Sequence, residues 1–176
     1  MRSMSWVYRL FMALAAVGLA LSLLVHLSAI LGVPQPLGPS AWMLHLGVFV
    51  VWIPTMVVGF RLIREVGFDR KDYWKIALRG APRWLRWAAH GVFVYTFLNF
   101  ILCIPMLPPK KAAAAKKPPG FQDAPAAVWR MFSGHWMAFY AVSFATLYSA
   151  AVVSAQECDG RKPLKKPDDE VDGWLS

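Results

Sequence analysis

Four apolar stretches divide this chain, at 10–31, 42–60, 87–107 and 129–153. A hydrocarbon core about 30 Å thick is crossed by roughly 20 helical residues. Inside it only a helix or a closed barrel satisfies every backbone N–H and C=O. Four stretches of this length predict an all-α fold: an integral membrane four-helix bundle running up-down-up-down. The chain has 176 residues and 57% of them are apolar, above the roughly 45–50% usual in soluble domains. Residues 1–155 then form one transmembrane domain, and residues 156–176 a polar tail.

The first stretch is read as a retained helix. Arg2 and Arg9 could head a signal peptide, but residues 10–31 outrun the usual h-region of about 7–15 residues. The turn at 32–40 leads straight into the second span. Orientation follows from basic residues. The N-terminal segment has two Lys or Arg, the loop between the second and third spans has eight, and the tail has four. The opposite side has five: Lys110, Lys111, Lys116, Lys117 and Arg130. This excess predicts that both termini are cytoplasmic. Trp6, Trp84 and Trp87 are expected at one headgroup level, and Trp42, Trp129 and Trp136 at the other, with Trp52 in mid-span.

The cytoplasmic loop holds a basic, amphipathic segment at 69–79, expected as a short interfacial helix ended by Gly80-Ala-Pro82. The loop at 108–128 is rich in Pro, Lys and Ala and is expected to be a periplasmic linker. Cys103 and Cys158 fall at opposite ends of the bundle, so no disulfide joins them. Net charge is +9, which basic flanks facing a lipid bilayer explain. No nucleic-acid-binding motif accompanies it, so nucleic acid is not an expected partner. The spans lack paired carboxylates and phosphate-binding glycine loops, which removes carboxylate acid–base and nucleotide chemistry.

What remains is histidine. Each stretch carries one: His26, His45, His90 and His135, and the chain has no other. Depth separates them. His26 and His45 lie roughly 6–8 Å inside the outer edge at about 1.5 Å per residue, and His135 is also on that side. His90 is alone near the inner side. Gly18, Ser22 and His26 recur every four residues, a small-residue ridge of the kind that packs helices in lipid. His135 shares a face with Phe139, Ser143 and Thr146, beside a stripe of Ala138, Ala141, Ala145 and Ser149. If both faces point inward, His26 with His45 or His135 suits axial ligation of haem b. The three together suit zinc or copper. Histidines that only bond neighbouring helices are the plainer reading. Asn99, in line with Tyr95 and Cys103, is expected to bond across a helix interface. Pro54 is expected to bend the second span.

Two segments, LHLGVFVVWIP (44–54) and FSGHWMAFY (132–140), resemble small bacterial four-span membrane proteins. The resemblance covers the second and fourth spans. It implies the four-span fold and a bacterial inner membrane, brings no activity, and places His45 and His135 within the shared segments. The expected role is a non-catalytic accessory component of a membrane complex, packing with its own copies or with other subunits. A haem-b or metal-binding redox subunit using His26, His45 and His135 is the alternative. A small-molecule or lipid carrier is the second alternative, without the inverted repeats or mid-membrane charges typical of transporters.

Overall fold

The long apolar runs become long helices. A computed structural model of the protein describes residues 4–66, 72–106 and 125–158. Among the described residues five α-helices appear: α1 (Met4–Leu31), α2 (Met43–Val66), the short α3 (Tyr73–Ala77), α4 (Arg83–Cys103) and α5 (Ala126–Cys158). The segments Trp6–Leu31, Gly38–Arg64, Arg83–Met106 and Ala126–Gln156 are each long and apolar enough to cross a membrane. The protein is therefore an all-α bundle of four candidate spans. Most helices outrun the apolar stretches by up to about two turns, because Trp6, Arg61, Arg64 and Trp84 continue them with side chains suited to headgroup depth. Most of the 108–128 loop and the tail beyond residue 158 lie outside the described residues.

Side-chain clusters give the direction of each helix. Tyr8 near the start of α1 meets Leu62 near the end of α2 and Val153 near the end of α5. At the other end Val25, Leu44 and Trp129 meet. Leu85 and Ala89 of α4 pack with Ala145 of α5. Successive spans thus alternate, and α3 lies at the same end as the start of α1 and the end of α5. α1 stops in a Schellman turn. Gly32 takes a φ of 67° and the Val33 N–H reaches back to the Ser28 carbonyl over 3.1 Å.

The bundle is not a symmetric square. α5 is its spine: α1, α4 and α2 all pack on it, whereas α4 scarcely touches α1 or α2. Residues that small-residue patterning singled out make this possible. Gly18 of α1 faces Tyr140 of α5 so closely that an added Cβ would lie 2.3 Å from the ring. The Tyr140 hydroxyl passes on to α2, donating to the Leu44 carbonyl over 2.7 Å, and a Cβ on Gly47 would lie 2.4 Å from it. One tyrosine is therefore threaded between glycines of two helices.

Two expectations change with this geometry. Trp129 and Trp136 are buried, at 5% and 0% exposure, rather than at a headgroup surface. They sit on the spine, where partner helices cover positions that an outer helix would turn to lipid. The expected interfacial helix is shorter than 69–79 and is tucked in rather than laid flat. Ile76, Ala77 and Leu78 are buried against the end of the bundle. The Arg79 guanidinium donates to the Leu62 carbonyl in the last turn of α2 over 3.0 Å, and the Gly80 N–H donates to Ser149 Oγ over 2.9 Å. Residues 69–71 of that segment lie outside the described residues. α2 remains helical through Pro54, and Thr55 Oγ1 donates to the Val51 carbonyl over 2.6 Å.

Candidate functional site

The polar side chains of the bundle gather where α1, α4 and α5 meet, near the end opposite α3. His26 is at the centre and is 1% exposed. Its Nδ1 lies 2.9 Å from Ser133 Oγ of α5, and its Nε2 lies 2.6 Å from the Tyr95 hydroxyl of α4. The serine decides the proton. Ser133 Oγ donates its one hydrogen to the Trp129 carbonyl over 2.6 Å, so it accepts from His26. Nδ1 then carries the hydrogen, and in the neutral ring Nε2 accepts from the Tyr95 O–H. The imidazole bridges α5 to α4 from α1.

A second set of bonds continues along α4. Thr96 Oγ1 donates to the Gly134 carbonyl over 3.0 Å. Asn99 donates through Nδ2 to the Arg130 carbonyl over 3.2 Å and accepts at Oδ1 from Arg130 Nε over 2.7 Å. Cys103 Sγ lies 3.8 Å from the same oxygen. Asn99 and Cys103 of the Tyr95–Asn99–Cys103 stripe are buried, and Tyr95, more exposed, directs its hydroxyl to His26 on the same side, as the spacing of four implies. Gly134 makes room for it: a Cβ there would lie 2.9 Å from Asn99 Nδ2 and 3.6 Å from His26 Cε1.

The other histidines occupy different surroundings. His45 is half-buried beside α5, where its Nδ1 accepts from Trp136 Nε1–H over 3.0 Å. His135 is exposed, its ring 4.6 Å from that of Phe139. The inward face expected for it holds from Ser143 and Thr146, both buried, and fails at His135. This strip of α5 faces the gap that α2 and α4 leave by scarcely touching, and at the level of His135 the described residues leave it exposed. His90 bonds within its own helix, Nδ1–H donating to the Arg86 carbonyl over 2.7 Å, and its ring lies 5.8 Å from that of Trp74 on α3.

The cofactor readings are judged on these contacts. Ligation of iron needs a free imidazole lone pair, and both ring nitrogens of His26 are engaged, by Ser133 and by Tyr95. The residues around His26 do not fit an axial ligand. Among the described residues no three of His, Cys, Asp and Glu come together as a metal-binding group. His45 and His135 lie within electrostatic range of one another, and His26 is engaged elsewhere.

Sequence reasoning missed Ser133, Tyr95 and Arg130 as the partners that matter. Arg130, counted by its charge among the residues of the outer side, falls in the second turn of α5. A basic residue opening an apolar helix, opposite an amide in the preceding span, was the available signal. No family model matches the chain, and no curated protein or solved structure matches it.

Proposed function

We propose that the protein is a non-catalytic accessory component of a membrane complex in the bacterial inner membrane, with both termini in the cytoplasm. The observation that carries this reading is how the polar groups of the bundle are used. His26, Tyr95, Thr96, Asn99, Arg130, Ser133 and Trp136 all bond to another helix. These bonds hold spans together, and among the described residues they leave no acid–base pair aimed at a cavity. The small-residue ridge of α1 is also used internally, against α5. The face available to another subunit is therefore that of α4, the most thinly covered span. Phe97, Leu98, Ile101 and Leu102 are 48–62% exposed there.

A photo-reactive phenylalanine analogue at Phe97 tests the reading in intact membranes. The expected product after illumination is one discrete protein adduct, either a partner subunit or a second copy. Adducts to lipid alone at Phe97, and again at Ile101, would remove the accessory role. Orientation has its own check: a reporter fused after Ser176 is expected to be active only in the cytoplasm.

A further inference from the structure

We propose that the cavity under α3 holds one acyl chain of an anionic phospholipid from the leaflet at that end. The inference stands apart from the accessory role, since it rests on different residues.

The cavity has a volume of about 290 Å³ and lies in the gap between α2 and α4, over α5. Val142 and Thr146 form its floor, and Tyr73 and Trp74 of α3 roof it. Its far end is closed in mid-span, where Trp52 meets Phe139 edge-on at a ring separation of 4.7 Å. From Thr146 to Phe139 is about 10 Å along the helix, most of one leaflet of a core about 30 Å thick. That depth suits a chain entering from one leaflet. A membrane-spanning helix would need the full thickness.

The lining is mainly apolar, from Trp52, Met56, Phe93, Ala138, Phe139 and Val142. Of its hydroxyls, that of Thr55 is held by the Val51 carbonyl. In a bilayer the filler that suits such a surface is hydrocarbon. Burial raises the Tyr73 phenol above its ordinary value, so the roof is uncharged. The mouth is set by Phe93 and Trp74, with ring centroids 6.0 Å apart and both side chains partly exposed.

Charge at this end of the bundle selects the headgroup. Arg61 and Arg64 end α2, Lys75 belongs to α3, and Arg83 and Arg86 begin α4, all at the α3 end. Lys75 pairs with Asp72 at 3.0 Å. An apolar slot one leaflet deep at the basic end of the bundle matches an acyl chain below a phosphate.

The test is native mass spectrometry of the full chain released from vesicles of phosphatidylethanolamine and phosphatidylglycerol. Wild type is expected to retain one phosphatidylglycerol. Ala138→Phe and Val142→Phe, which fill the slot, are expected to abolish retention with thermal unfolding unchanged. Arg83→Gln with Arg86→Gln is expected to lower retention about tenfold. In case the filled variants do not fold, a second measurement uses wild type alone. Phosphatidylglycerol brominated at mid-chain should quench Trp52, read as the difference from Trp52→Phe. Equal retention by the filled variants, equal retention of phosphatidylethanolamine, or an unquenched Trp52 would each overturn the proposal.

Discussion

Gly18→Ala is expected to destabilise the bundle by about 2–4 kcal/mol, as overpacking plus one lost interhelical hydrogen bond. The new methyl would lie 2.3 Å from the Tyr140 ring, closer than any real contact. Tyr140 is 2% exposed and cannot swing aside. Its hydroxyl is tied to the Leu44 carbonyl on α2, and Gly47 crowds its far side. The methyl must therefore push α1 off the spine or pull Tyr140 from α2. Unfolding in mixed micelles measures the cost. The same substitution in a Tyr140→Ala background is expected to cost little, because the clash is gone. A full penalty in both backgrounds would show that Gly18 acts through something other than Tyr140.

His26→Ala has the second largest effect, about 2–4 kcal/mol, from a cavity plus two unmade hydrogen bonds. The loss is not confined to α1. α1 and α4 scarcely touch, and the His26–Tyr95 bond spans the space between them. Amide exchange should therefore rise in α4, around Tyr95 and Asn99, when residue 26 of another helix is changed. Tyr95→Phe alone is expected to cost about 1 kcal/mol, and close to nothing once His26 is alanine. Additive penalties would mean that the two side chains are not joined.

The fold was legible because its causes are local. A stretch of twenty apolar residues must become a helix in lipid whatever surrounds it. A spacing of four also places Tyr95, Asn99 and Cys103 on one face without knowledge of any partner. Gly18, Ser22 and His26 were readable as a packing ridge for the same reason. What His26 would meet was not readable. Similar depth suggested His45 and His135, but the partner depends on how α5 is rotated, and that rotation puts Ser133 toward α1 and His135 toward the open gap. Trp129 and Trp136 were misplaced by the same cause. A tryptophan near a span end belongs at the headgroups only when its helix faces lipid there, and the spine does not. The cavity under α3 needs four helices to define it, so no single segment announces it.

The central claim is that His26 joins three helices and is not a ligand to a cofactor. Its most direct test is the visible spectrum and metal content of the full chain, purified in mild detergent from haem-replete cells. The expected trace has no Soret band, and bound metal is far below one per chain. A Soret band in the wild type that disappears in His26→Ala while the bundle stays folded would contradict the claim.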